Sequence, residues 1–137
     1  MSDTPNDPLC VCVAVRKASR RLTATYDDAL EPAGVTLAQF SLLRNIRRNQ
    51  PVSLTRLGEI MELDRSTLGR NVRLLERDGL VGSSPGRDQR EASIALTDAG
   101  DATLDLATPL WRETQTQVYG RLGQARAAQL AELLAAL

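Results

Sequence analysis

Residues 54–80 constrain the fold more than any other stretch, because they predict two helices joined by a tight turn. The segment "LTRLGEIM" (54–61) has one apolar side and is followed by the turn residues "ELDR". Asp64 is suited to cap the next helix, since its carboxylate can accept hydrogen bonds from free backbone N–H groups. Gly79 suits the left-handed position that ends a helix, and Leu80 suits the apolar contact just beyond it.

Apolar and basic residues lie on opposite sides of the second helix. At about 100° per residue, three apolar residues share one side of the helix: Leu68, Val72 and Leu75. Three arginines share the other side, with no acid among them: Arg70, Arg73 and Arg77. We call the second group the arginine face. Its like charges repel by roughly 0.2–0.5 kcal/mol per pair, so the arrangement favours an external polyanion. The alternative is a solvated basic surface.

The formal net charge of the chain is zero, but the charge is unevenly distributed. Residues 44–90 carry ten arginines and six acids, whereas residues 1–43 have a net charge of −1 and residues 91–137 a net charge of −3. A basic middle between acidic ends indicates a localised anion-binding surface.

A short helix, a tight turn and a longer basic helix form the helix-turn-helix arrangement, whose second helix enters the major groove of double-stranded DNA. Ser66, Thr67 and Arg70 are the candidates for base contacts, because arginine pairs with guanine and hydroxyl groups bond to either base. Arg65 and Arg73 are the candidates for phosphate contacts.

The rest of the sequence predicts more helices and one hairpin. A helix from Pro8 to about Leu30 carries an apolar stripe, and Thr36 with Gln39 forms a capping box for a helix that ends before Pro51. "PVSL" predicts a short strand, and "LVGSS" and "EASIAL" predict two strands around "PGRDQR". From Thr97 the chain is predicted helical to its end, with a kink or restart at Pro109 and a break between Gly120 and Gly123. The fold class is therefore mostly α with a small β-hairpin (α+β).

The string "LTRLGEIMELDRSTLGRNVRLLERDGLV…GRDQREASIALTDAG" resembles the multiple-antibiotic-resistance regulator (MarR) family. The resemblance runs from about Leu9 to the C-terminus and is strongest from Leu54 to Gly100. It implies a winged helix-turn-helix repressor that binds pseudo-palindromic operators as a homodimer. The family's wing motif falls on Asp88 and Arg90, where the arginine enters the minor groove and the aspartate positions it. Arg87 lies beside them as a further expected DNA contact.

The expected organisation is one subunit over residues 1–137, with terminal dimerisation helices. Residues 8–31 and 98–137 are expected to form the dimerisation helices, and residues 36–97 the winged helix-turn-helix lobe. Leucines at helical spacing near the C-terminus fit an interface: Leu130, Leu133, Leu134 and Leu137. The alternative is that they pack within one chain.

The resemblance implies release from DNA by a small phenolic or aromatic acid effector, bound between the dimerisation helices and the winged helix. Five residues are candidates for that site: Arg16, Lys17, Tyr26, Phe40 and Trp111. Each has an ordinary alternative, because the aromatic residues suit the core and the cations suit solvent.

A second candidate switch is thiol oxidation at Cys10 or Cys12, since a helix N-terminus favours the thiolate form and some relatives sense organic peroxides. Two positions apart on a helix, the thiols point about 200° apart, so an internal disulfide is not expected unless the helix frays. A bond to the partner subunit or to a small thiol is more feasible. The alternative is that both cysteines are small buried hydrophobes.

Composition argues against other classes. The chain has no histidine and two cysteines, so a one-chain Cys/His zinc site lacks ligands and histidine-based catalysis is excluded. No sequence pattern of an enzyme is present, and neither a metal nor a cofactor is expected. A protein-interaction module would be expected to lose the arginine face. No signal peptide or apolar membrane span is visible, so we expect a cytoplasmic protein that does not bind membranes.

Overall fold

The computed structural model describes residues 8–85 and 91–137. Within them lie six helices and three short strands, in the order α1 (Val11–Leu30), α2 (Leu37–Asn49), β1 (Val52–Ser53), α3 (Leu54–Met61), α4 (Arg65–Arg77), β2 (Val81–Ser84), β3 (Ser93–Leu96), α5 (Asp98–Leu122) and α6 (Gln124–Ala135). A 3-10 turn, Glu31–Ala33, follows α1. The predicted class, mostly α with a small β component, is confirmed.

Helix ends fall where the capping residues predicted them. The Thr36 hydroxyl accepts from the Gln39 backbone N–H at 3.2 Å, and the Gln39 side chain accepts from the Thr36 N–H at 2.9 Å, which completes the capping box. At the end of α4, Gly79 has a φ of +75°. The Leu80 N–H then donates to the Leu75 carbonyl at 2.9 Å, which is the Schellman pattern.

The three strands form one antiparallel sheet in the order β1-β3-β2. Val52 pairs with Ile94, and Val81 pairs with Leu96. The sheet therefore joins the chain before α3 to the hairpin after α4, which holds the two ends of the helix-turn-helix together.

A single apolar core lies between α2, α3, α4, the sheet and α5. Its largest fully buried side chains come from all of these elements: Phe40, Leu43, Ile46, Leu57, Leu68, Leu75, Ile94 and Leu104. Burying a leucine, isoleucine or phenylalanine contributes about 1.5–3 kcal/mol each. The core therefore fixes the direction in which α4 presents its remaining residues.

The terminal helices are less buried than the core helices. Tyr26 and Leu30 of α1 are buried against the rest of the subunit, but the first part of its apolar stripe is exposed, with Val11 53% and Leu22 40% accessible. In α6 no residue is buried, and Leu133 is 61% accessible. These apolar sides have no cover within the single described chain.

One expectation about the C-terminal helices is corrected and one is confirmed. Pro109 does not restart a helix, because α5 continues through it from Asp98 to Leu122; buried Leu104 and Ala107 and partly buried Trp111 pack both halves against the core. The break before α6 is at Gly123, inside the predicted interval.

Cys10 is not helical. It is the N-cap of α1 in an extended conformation, with φ −73° and ψ 105°. The helical separation of about 200° between the two thiols therefore does not apply.

Among the helices of the described residues, none combines the length and apolar character that crossing a membrane requires.

Candidate nucleic-acid interface

The core holds α4 by its apolar side and leaves its arginines in solvent. Leu68 and Leu75 are completely buried and Val72 is 3% accessible. Arg70, Arg73 and Arg77, together with Arg65 and Ser66 at the start of the helix, are exposed. The predicted opposition of apolar and basic sides is confirmed.

Carboxylates neutralise little of this surface. Arg77 lies 3.7 Å from the carboxylate of its neighbour Asp78. Among residues 8–85 and 91–137, Arg65, Arg70 and Arg73 form no salt bridge. The Nε of Arg73 donates to the carbonyl of Gly69 at 3.2 Å, which folds its guanidinium back along the helix. The surface therefore has uncompensated positive charge, as a polyanion site requires.

Asp64 organises the start of α4 beyond ordinary capping. Its carboxylate accepts from the backbone N–H of Thr67 at 3.0 Å, as the sequence predicts, and also from two hydroxyls, Ser66 Oγ at 2.6 Å and Thr67 Oγ1 at 2.7 Å. These hydrogen bonds, those from the two hydroxyls first, hold the pKa of Asp64 far below its ordinary value. Asp64 is therefore ionised at neutral pH.

Glu91, two residues before β3, connects the loop end of the hairpin to the start of α3. Its carboxylate accepts from the Thr55 backbone N–H at 2.8 Å and from the Thr55 hydroxyl at 2.6 Å. These bonds, with a smaller contribution from the positive charge of Arg65, lower the pKa of Glu91. Arg65 and Glu91 do not form a salt bridge. Arg87, Asp88 and Arg90, the expected wing contacts, lie outside the described residues.

Two of the five effector candidates are in contact with each other. The rings of Phe40 and Trp111 have centroids 5.5 Å apart at 31°, where α2 packs on α5. The guanidinium carbon of Arg44 lies 4.4 Å from the centroid of the Trp111 ring, in a cation–π arrangement. Burial, and then the charges of Arg48 and Arg112, lower the pKa of Arg44. None of these three arginines has a salt-bridge partner among the described residues.

The other three effector candidates are placed differently. Tyr26 is buried, and its hydroxyl donates to the side-chain oxygen of Gln115 on α5. Burial raises the pKa of Tyr26, and Tyr119 adds to the effect. Arg16 and Lys17 are exposed in the first half of α1. At 1.5 Å rise per residue, about 15 Å of helix separates them from Tyr26.

Both candidate redox residues, Cys10 and Cys12, are exposed in the single chain. Cys10 caps α1 without a side-chain hydrogen bond, and Cys12 lies in the first turn.

Two residues of these sites, Arg44 and Glu91, and one role of Asp64 were not predicted from the sequence. Arg44 was not predicted, although it lies four residues after Phe40 and so on the same side of α2. Glu91 bonds to a residue 36 positions away, and no local pattern signals that contact. The position of Asp64 was predicted for its cap, but its bonds to two hydroxyls were not.

A family model described as the MarR family matches residues 33–91. The HTH-type transcriptional repressor NicR of Pseudomonas putida is 30% identical over 121 residues, which cover 88% of this chain and 77% of NicR. The crystal structure of the Mycobacterium tuberculosis transcriptional regulator MosR in complex with DNA superimposes with a TM-score of 0.79 at 37% identity. The superposition covers 93% of this chain and 98% of the MosR chain.

More distant relatives are also matched. The organic hydroperoxide resistance transcriptional regulator of Bacillus subtilis is 26% identical over 91 residues, or 66% of this chain. The chain spans 62% of the length of that relative and 61% of the length of a second Bacillus subtilis regulator, YwoH. Fold, capping pattern and relatives agree, and the chain belongs to the MarR family of winged helix-turn-helix transcriptional regulators.

Proposed function

We propose that this protein is a homodimeric, sequence-specific DNA-binding repressor of a pseudo-palindromic operator. The observation that carries the proposal is the arginine face of α4, exposed and largely free of carboxylates while the opposite side is buried. A helix presented in this way fits the major groove of B-DNA. The protein acts by binding rather than by catalysis.

The residues divide into two kinds of contact. Ser66, Thr67 and Arg70 stand in the first half of α4, where a recognition helix meets base edges. Arg65 and Arg73 bind phosphates on either side and set the position of the helix. Support comes from two relatives, since MosR has been crystallised with DNA and NicR is named a repressor.

The wing adds a minor-groove contact in this proposal. Arg90 enters a narrow minor groove, where the negative potential attracts arginine. Asp88 positions Arg90, and Arg87 binds the adjacent backbone. The Glu91–Thr55 bonds support this arrangement, because they tie the segment just before β3 to the start of α3.

Dimerisation supplies the second recognition helix. The two ranges 8–31 and 98–137 form the interface, and 36–97 forms the DNA-binding lobe. The exposed apolar side chains of α1 and α6 support this division, because a monomer leaves them in water. Two α4 helices about 34–36 Å apart then bind successive major grooves and explain an inverted repeat.

Selection of bound fragments from a random DNA pool tests this function. The full chain is expected to enrich an inverted repeat whose half-sites are about one helical turn apart, and to bind it with a Kd near 10⁻⁸ M or lower that rises steeply with salt. No enrichment by the wild-type chain would contradict the proposal.

A small aromatic acid is the proposed releasing ligand, and the Trp111 region is its proposed site. Arg44 lies over the Trp111 ring, which packs on Phe40, and burial and then the charges of Arg48 and Arg112 lower the pKa of Arg44. None of these three arginines has a salt-bridge partner among the described residues, so an aromatic anion would both stack and supply a compensating charge. Tyr26 borders this proposed region within one chain, because it bonds to Gln115, one helical turn after Trp111 on α5. Arg16 and Lys17 join it only through the dimer, from a neighbouring α1.

Trp111 is the only tryptophan, so its fluorescence reports directly on this region. Titration with benzoate is expected to change the emission and weaken operator binding, whereas the non-aromatic cyclohexanecarboxylate changes neither. Identical responses to the two acids would remove the aromatic-site proposal and leave DNA binding unaffected.

Thiol oxidation at Cys10 or Cys12 is the second candidate switch, favoured by the exposure of both thiols. Because Cys10 precedes the helix, a disulfide between Cys10 and Cys12 is an alternative to a disulfide with the partner subunit or with a small thiol. Peroxide titration with thiol mass spectrometry tests it, using Cys10→Ser and Cys12→Ser as controls. Unmodified thiols with unchanged operator affinity would end the redox proposal.

A further inference from the structure

The two hydroxyls nearest the start of α4 are both occupied by the same carboxylate. Asp64 accepts from Ser66 Oγ at 2.6 Å through Oδ2 and from Thr67 Oγ1 at 2.7 Å through Oδ1, and Oδ2 also accepts from the Thr67 N–H. Ser66 and Asp64 are exposed and Thr67 is half-buried, so all three lie at the surface that carries Arg70.

The direction of these bonds follows from chemistry. An ionised carboxylate has no hydrogen to donate, so each hydroxyl must be the donor. A hydroxyl has one hydrogen and two lone pairs. Once its hydrogen points at Asp64, a serine or threonine oxygen has only acceptor capacity left for any other molecule.

We propose that Asp64 is a specificity-determining residue that makes Ser66 and Thr67 hydrogen-bond acceptors toward DNA. This inference rests on the proposed function, in which α4 lies in the major groove. There the amino groups are N4 of cytosine and N6 of adenine, whereas guanine N7 and O6 and thymine O4 only accept. Ser66 and Thr67 therefore select cytosine or adenine, disfavour guanine and thymine, and do not donate to phosphates.

A capping role alone makes a different prediction. If Asp64 only caps α4, replacing it lowers stability and weakens binding to all DNA sequences alike. If it sets the direction of the hydroxyls, replacing it changes which base is preferred at the contacted positions and leaves the other positions as they were.

The Asp64→Asn variant separates these roles. Its side-chain oxygen can still cap the helix, but its NH₂ group donates toward one of the hydroxyls, which then turns its own hydrogen outward. Thr36→Ala is the matched control, because it removes a capping side chain from α2, away from α4. The Ser66→Ala and Thr67→Val variants identify the base positions that each hydroxyl contacts.

Selection from a random pool followed by sequencing is carried out with the full chain and each variant. The wild type is expected to enrich cytosine or adenine at the positions that lose their preference in Ser66→Ala or Thr67→Val. Asp64→Asn is expected to shift at least one of those positions toward guanine or thymine by about three- to tenfold, the range of one hydrogen bond. Thr36→Ala is expected to keep the wild-type pattern.

The outcomes distinguish this inference from the proposed function. Enrichment of an operator by Asp64→Asn with unchanged bases at the Ser66 and Thr67 positions overturns the inference and leaves DNA recognition intact. Guanine or thymine at those positions in the wild type overturns it too, even if Asp64→Asn does not fold. No enriched sequence with the wild type overturns both.

Discussion

Gly69 lies inside α4, where glycine costs stability, and its replacement by alanine separates folding from DNA binding. Glycine in a helix interior is about 0.8–1.0 kcal/mol less favourable than alanine. An added Cβ would meet only the Nη2 of Arg73 within 4 Å, at 3.4 Å, leaving out the neighbouring backbone of α4 itself. Close packing against the preceding helix is therefore not the reason for a glycine at this position.

The magnitude follows from the size of the chain. The exposed Arg73 side chain can move by a few tenths of an ångström, so Gly69→Ala gains most of about 1 kcal/mol. Unfolding entropy of about 2.1 cal/mol/K per residue, over 137 residues, converts this gain to a rise in Tm of about 3–4 °C. If the backbone of Gly69 approaches DNA closely, the same methyl group costs about 1–3 kcal/mol of operator binding, roughly five- to 150-fold in Kd.

Thermal unfolding at fixed protein concentration and operator titration measure the two effects. Gly120→Ala is the control for helix propensity alone, because Gly120 is exposed within α5 and its added Cβ would meet nothing within 4 Å in the single chain. It is expected to raise Tm by a similar or smaller amount. A fall in Tm for Gly69→Ala would refute the packing argument, and a higher Tm with unchanged operator affinity would refute close approach to DNA.

Three further substitutions test how the lobe is held together. Gly100→Ala is expected to destabilise the fold by about 3 kcal/mol or more, since the new Cβ would overlap the carbonyl oxygen of Leu80 and lie 3.0 Å from its carbonyl carbon. Thermal unfolding would show a large fall in Tm, and an unchanged Tm would be inconsistent with the close packing. Thr97→Ala is expected to lose about 1–2 kcal/mol by urea unfolding, because its hydroxyl caps α5 at 3.1 Å, and a loss near zero would argue against the cap. The bonds from Thr55 lower the pKa of Glu91, so they add stability to the fold above the ordinary pKa of 4.5, and this stability is lost as the pH falls through the pKa of the folded state. The Tm difference between wild type and Glu91→Gln should therefore be largest at neutral pH and shrink in acid. A difference independent of pH would contradict the assignment.

Local signals in the sequence predicted the helix ends well. The capping box at Thr36, the cap at Asp64 and the left-handed Gly79 each depend on residues within a few positions of one another. Helical periodicity also predicted which side of α4 is buried, because the apolar residues of one helix share one core.

Contacts between distant segments were not predictable in the same way. Tyr26 bonds to Gln115 across 89 positions, and Arg44 reaches Trp111 from another helix. Such pairs depend on how α1 and α2 pack on α5, which periodicity does not specify. The apolar stripe of α1 was predicted, but only coordinates show that its first part is uncovered within one chain.

The most direct test of whether the arginine face contacts DNA is to measure the affinities of two variants, Arg70→Ala and Arg73→Ala. Each is titrated with operator DNA and with random DNA at several salt concentrations. Arg70→Ala is expected to cost about 1–3 kcal/mol on the operator and relax specificity at one base pair, with little change on random DNA. Arg73→Ala is expected to weaken both equally and reduce the salt slope by about one. Equal losses on both DNAs for Arg70→Ala would contradict base recognition, and wild-type affinity for both variants would contradict the arginine face as the DNA-binding surface.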